Sequence, residues 1–77
     1  MEEFLRYVIG SLVEFPDAVV VKKTETPGRT SFLVAVRPSD VPKLVGKGGH
    51  TIRALRTLLN ASARRRNQSA TLELLEP

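Results

Sequence analysis

Phe4, Leu5, Val8, Ile9, Leu12 and Val13 recur at intervals of three and four, which places them on one apolar stripe of an N-terminal helix. Pro16 blocks its continuation, because a proline inside a helix removes a hydrogen bond and clashes with the preceding turn. Ala18 to Thr26 is β-branched and extended in character, Pro27-Gly28 reads as a turn, and Thr30 to Arg37 alternates with Phe32, Val34 and Val36 on one face. These two runs predict an antiparallel hairpin, closed by Pro38. Ser39 or Asp40 suits the cap of a short helix through Leu44, with Pro42 tolerable in its first turn. A glycine turn follows. A longer helix over about Thr51 to Arg64 is expected to bury Ile52, Leu55, Leu58, Leu59 and Ala63, and Ala70 to Leu75 reads as a third strand.

The predicted order is αββααβ. A strand, two helices and another strand form a crossover, so the third strand is expected to lie parallel to the second, with a right-handed connection. The resulting fold class is α+β: a three-stranded mixed sheet with three helices on one face and the opposite face partly open. A chain of 77 residues holds one small domain with one modest core and no deep cleft between domains. No linker, internal repeat or low-complexity tail interrupts it.

Chemistry narrows the picture further. Absence of cysteine excludes a disulfide framework and thiolate metal sites, and it fits a reducing, cytoplasmic setting. No apolar run approaches the roughly 20 residues that cross a bilayer, and Met1-Glu2-Glu3 is unlike a basic leader, so a soluble, unexported protein with no membrane partner is expected. Net charge is +4, unevenly spread: Arg37 to Arg66 carries eight basic residues against Asp40 alone, a local balance of +7. Before it, four bases face five acids; after it come only Glu73 and Glu76. A basic middle between mildly acidic ends suits a polyanion-binding face, although a solvated basic face has the same composition.

The segment Val45-Gly46-Lys47-Gly48-Gly49-His50-Thr51-Ile52 tips that balance. Its glycines remove the Cβ atoms that would hold phosphates away, the following helix offers unpaired N–H groups and its positive end, and Lys47 adds a mobile cation. One glycine would suffice as a left-handed helix cap; three in four positions exceed that need. Such a turn holds sugar-phosphate, leaving sequence to be read by a neighbouring surface.

A Gly46-Lys47-Gly48-Gly49 turn between two helices in this order resembles the K-homology (KH) domain, in its type II arrangement, with its GxxG loop. The run Pro38 to Gly49, followed by Ala54-Leu55-Arg56-Thr57-Leu58-Leu59, is similar to the small bacterial single-KH proteins of the KhpA type. The resemblance covers nearly the whole chain and implies one KH domain over residues 1–77, without catalytic activity, clamping about four nucleotides of single-stranded RNA. It implies backbone contacts from Gly46, Lys47, Gly48 and Gly49, with Val45 and Ile52 in the groove floor. Arg53, Arg56, Asn60 and Arg64 share a stripe that lines the groove or faces water. Arg64, Arg65 and Arg66 sit where type II domains place a variable loop, and arginine there suits phosphate contact and base stacking. Val34 and Val36 are candidates for the apolar floor. The family is associated with a larger Jag-type KH protein, with RNA chaperoning, and with cell-wall and cell-shape regulation; a homodimer or that heterocomplex is the implied partner.

Each residue has a plainer reading. Lys47 alone is a solvated lysine, Arg64 to Arg66 a favourable charge cluster at a helix C-terminus, and His50 a solvent residue rather than a pH-sensitive phosphate contact. Phe4, Phe15 and Phe32 are expected in the core, which with Tyr7 leaves little aromatic stacking and predicts micromolar or weaker binding unless a second domain adds avidity. An enzyme is not expected: one histidine, scattered carboxylates and no cysteine suggest no acid–base pair, and neither GxxxxGK[ST] nor GxGxxG is completed. No metal or cofactor is implied. The alternative is a KH-shaped dimerisation or scaffold module that binds little RNA.

Overall fold

The computed structural model describes residues 1–75; Glu76, one of the two acidic residues of the C-terminal end, lies outside them. Helix α1 (Glu2–Leu12) leads into a hairpin of β1 (Val20–Thr26) and β2 (Arg29–Ala35), then α2 (Val41–Val45), α3 (His50–Arg64) and β3 (Ser69–Leu74). Single 3-10 turns occupy Pro16–Ala18, Pro38–Asp40 and Lys47–Gly49. The sheet order is β1-β2-β3, with β1 antiparallel to β2 and β3 parallel to β2. Both pairings, the αββααβ order and the α+β class are those the sequence predicts. The boundaries shift slightly: Pro16 opens a 3-10 turn, so β1 starts at Val20 rather than Ala18.

One face of the sheet carries the core. Val21, Phe32, Val34, Ala70 and Leu72 are buried against Leu5, Ile9 and Val13, Leu44, and Ile52, Leu55, Leu59 and Ala63 from the helices. The alternate set, with Lys22, Thr24, Ser31, Leu33, Thr71 and Glu73, is turned outward and none of it is buried. This strict period of two fixes register, since a slip of one residue would expose the core face of a whole strand.

Three expectations are corrected, two about burial and one about a helix cap. Leu58 is 53% exposed: α3 buries Leu55, Leu59 and Ala63, and Leu58 falls outside that stripe onto the solvent side. Phe4 and Phe15, at 48% and 38% exposure, are not core residues, whereas Phe32 is. Phe15 instead stacks beneath the guanidinium of Arg37, 4.4 Å from the ring centroid, which exchanges burial for a cation–π contact.

Asp40 is the third correction. It precedes α2, but its side chain caps nothing there. It is fully enclosed, and its two carboxylate oxygens accept the Glu14 and Phe15 N–H groups at 3.1 and 3.0 Å, tying the segment after α1 to the start of α2. Lys43 approaches it at 3.7 Å while also reaching Glu14 at 3.2 Å. Burial pushes the Asp40 carboxyl up, but the two backbone donors and Lys43 outweigh it and hold the group below its ordinary value of 3.8. The unfolded chain therefore takes up a proton first. The stabilisation from Asp40 is complete above the ordinary carboxylate range and is lost as pH falls below about 4 and through the folded value. Asp40→Asn offers an acceptor to one N–H and an opposing donor to the other. Its melting temperature is expected to fall by on the order of 5 °C or more at neutral pH, and its acid-limb slope to flatten relative to wild type. Thermal melts from pH 7 to pH 2 check this; parallel acid limbs would assign the pH dependence to other carboxylates.

Candidate nucleic-acid interface

Helix α2 has only five residues, and Gly46 ends it with its N–H on the Pro42 carbonyl at 2.9 Å. Gly46 has φ 77 and ψ 169, a region that only glycine occupies readily, so it is not the left-handed cap of a helix. A Cβ there would lie 2.3 Å from Thr51 Oγ1 and 2.8 Å from Thr51 Cβ, so the absence of a side chain is what lets the start of α3 close against the end of α2. Gly48 and Gly49 then turn the chain through positive φ into α3.

The amides of Gly49 and His50 fold inward onto the carbonyls of Gly46 and Lys47. Among the described residues neither the Lys47 nor the Gly48 N–H has a backbone acceptor, and both residues are exposed. No side chain caps α3. The loop thus combines amide donors, a helix N-terminus and an exposed lysine within four residues, groups of the kind that hold a phosphate. Arg53 donates Nη2 to the Gly48 carbonyl at 3.0 Å, which pins the loop peptide. Sequence spacing places Arg53 on the stripe but gives no sign of this contact.

A shallow groove of about 310 Å³ runs along α3, lined by Arg53, Arg56, Thr57, Asn60, Ala61 and Arg64, and the Arg53 bond to Gly48 joins it to the loop. The expected stripe is therefore brought together on one wall. Arg56 Nε donates to the Leu72 carbonyl at 3.1 Å and Asn60 Oδ1 accepts the Ala70 N–H at 3.1 Å, so this wall abuts the edge of β3. At its far end Arg64, Arg65 and Arg66 are all exposed. The turn after them is held by Asn67, with φ 56, whose N–H reaches the Arg64 carbonyl while Gln68 reaches that of Ala63. This paired closure is a Schellman motif with asparagine in the left-handed position. Loop and arginine turn thus stand at opposite ends of one helix, 15 residues or about 22 Å apart along the axis.

The apolar floor is where expectation and structure part. Val34 is enclosed on the helix-facing side of β2, and Val36 packs against the same core. Neither reaches the groove. Ile52, 8% exposed, is a core residue, and Val45 is half-buried and packs against the same core, one on each side of the loop in sequence. What faces the groove is mostly polar and cationic. His50 is exposed, its ring beside Gly48. Among the described residues no group of three or more His, Cys, Asp or Glu could hold a metal ion, and no helix is long and apolar enough to cross a membrane.

Known proteins match this sequence over nearly the whole chain. The family model described as KhpA/KhpB, KH domain matches residues 2–74. A Chlamydia pneumoniae protein called RNA-binding protein KhpA is 40% identical over 76 residues, covering 99% of this chain and 97% of its own. Proteins of the same name from Treponema pallidum and Oceanobacillus iheyensis are 39% and 32% identical over 75 residues, each covering 97% of this chain and 94% and 100% of their own length. These are binding domains rather than enzymes, in agreement with a sequence that offers no acid–base pair. Matched across its helices and its sheet, the chain belongs to the KhpA/KhpB family of KH domains.

Proposed function

We propose that this chain is a single KH domain that binds single-stranded RNA, gripping the phosphate backbone with Gly46, Lys47, Gly48 and Gly49 and laying the bases along the α3 groove toward Arg64, Arg65 and Arg66. The observation that carries it is the pair of exposed, unpartnered amides at Lys47 and Gly48, set at the head of a groove lined by Arg53, Arg56 and Arg64. Val45 and Ile52 flank the loop and anchor it to the core. That relatives over the whole chain are called RNA-binding proteins supports RNA as the ligand. The protein acts in the cytoplasm as an RNA chaperone or post-transcriptional regulator, together with a larger KH partner, in the service of cell-wall and cell-shape control.

A single groove with no aromatic platform binds weakly, so association with a second KH domain is the natural source of avidity. Leu58, half exposed on α3 and absent from the groove lining, offers an apolar contact for such a partner, either a second copy or a larger KH protein. The scaffold alternative keeps this contact and discards the RNA.

Titration of labelled single-stranded and duplex RNA at about 50 and 200 mM salt tests the reading. Single strands should bind preferentially, and three or four neutralised phosphates should weaken binding more than tenfold between the two salts, from a slope of about −0.7 per phosphate. No binding to either would leave the scaffold reading in place, and equal affinity for duplex would replace the single-strand groove by non-selective attraction to a basic face.

A further inference from the structure

The groove wall has a donor and acceptor composition that bears on which base it accepts. Strand β3 is an edge strand. The Ser69 and Leu75 amides point to β2, onto the carbonyls of Gly28 and Val34, so by alternation Ala70, Leu72 and Leu74 turn their N–H and C=O groups toward the groove. A bare strand edge offers donors and acceptors in turn and suits a base with an amino group as well as one with a keto group. Here that edge is altered by two side chains of α3. Asn60 commits its oxygen to the Ala70 N–H and donates Nδ2 to the Arg56 carbonyl at 3.1 Å. Arg56 commits Nε to the Leu72 carbonyl.

The consequence is a shift in balance. Two acceptors that an exocyclic amino group would use, Asn60 Oδ1 and the Leu72 carbonyl, each already accept a hydrogen bond within the protein, which leaves them one lone pair apiece. The Nη groups of Arg56 stay available on a guanidinium whose plane is fixed by its Nε bond. Arg53 is likewise anchored, by Nη2 on Gly48, and adds further donors. On this stretch of edge the Ala70 and Leu74 carbonyls are the acceptors left to set against them. Guanine presents two adjacent acceptors, O6 and N7, which a guanidinium meets with two parallel N–H groups; adenine puts an amino group in place of O6 and opposes donor with donor.

We propose that the groove prefers guanine over adenine at the nucleotide beside β3, with Arg56 as the specificity-determining residue, held in place by the Leu72 carbonyl. This rests on the single-stranded RNA reading above. Because asparagine or glutamine pairs with adenine as arginine does with guanine, the chemistry of one side chain decides the preference.

NMR chemical-shift titration of the full chain with the pentanucleotides UUGUU and UUAUU, equal in length, charge and flanking sequence, separates the possibilities. UUGUU should bind about tenfold tighter than UUAUU. Arg56→Gln should bring the two within about twofold, its own spectrum confirming the fold, and Arg53→Gln should weaken both alike. Equal affinities in the wild type, or tighter binding of UUAUU, overturn the proposal while leaving RNA binding intact. Failure of both to bind overturns the RNA reading and the preference with it.

Discussion

Gly46→Ala is expected to destabilise the fold by roughly 3–5 kcal/mol, against roughly 1–2 kcal/mol for Gly48→Ala two residues later. Both glycines have positive φ, so propensity alone would treat them alike. They differ in what a methyl group meets. At Gly48 the nearest atom is His50 Cδ2 at 3.4 Å, the end of an exposed side chain, and the cost is that of the left-handed backbone. At Gly46 the new Cβ meets Thr51 Oγ1 at 2.3 Å and the Thr51 N at 3.0 Å, so the loop has to open away from α3 as well as strain. A domain of this size is stable by roughly 4–12 kcal/mol, so the first substitution removes a large share of that total. Urea denaturation at constant slope is the measurement, with a melting temperature for Gly46→Ala lower by more than about 12 °C. Thr51→Ala removes Oγ1 but leaves Cβ 2.8 Å from the added methyl, so it should restore only part of the loss. Equal costs at Gly46 and Gly48 would mean that Thr51 moves aside and that close helix approach is not what this glycine serves.

How far the chain could be read from its sequence follows from which interactions are periodic. The helices, the hairpin and the parallel third strand were legible because Leu5 and Ile9, Phe32 and Val34, and Leu55 and Leu59 repeat at the spacing of the elements they build. The loop was legible because three glycines around Lys47 have no other common use. Illegible were contacts between positions distant in sequence that obey no period. Asp40 resembles a helix cap locally and is taken instead by the Glu14 and Phe15 amides, 26 and 25 residues away. Phe15 looks like a core residue until Arg37 is seen above its ring. Leu58 belongs to an apolar run whose third member turns outward because Leu55 and Leu59 already fill the stripe. In the groove the arginines could be grouped by spacing, but that Arg53 holds the loop carbonyl and that Arg56 and Asn60 occupy the β3 edge depends on where helix and strand meet. That distinction changes the site from an apolar floor to a donor-rich wall.

Lys47→Asp combined with Gly48→Asp should lower affinity for single-stranded RNA by at least about a hundredfold while leaving the domain folded. The two halves of this expectation have separate physical grounds. Folding survives because Gly48, with φ 64 and ψ 17, lies in the left-handed region that aspartate tolerates better than most residues, and because an added Cβ meets only the exposed His50 ring, at the ordinary contact distance of 3.4 Å. Lys47 is exposed and its side chain can be exchanged without repacking. The expected stability loss is therefore on the order of 1 kcal/mol, well short of the effect at Gly46. Binding does not survive because the loop's cation becomes a pair of carboxylates directly beside the amides meant for phosphate, and like charges brought together at an interface cost several kcal/mol. The salt dependence should flatten too, by about 0.7 in log–log slope for each phosphate that the loop no longer neutralises. Circular dichroism and a thermal melt establish the first half, and titration at two salt concentrations the second. A folded double variant that binds as tightly as the wild type would move the backbone clamp from the loop to the arginines of α3. Weakened binding with the wild-type slope unchanged would mean that the loop shapes the groove without touching phosphate, since a phosphate cannot be released from the loop without giving up its share of the counterion effect.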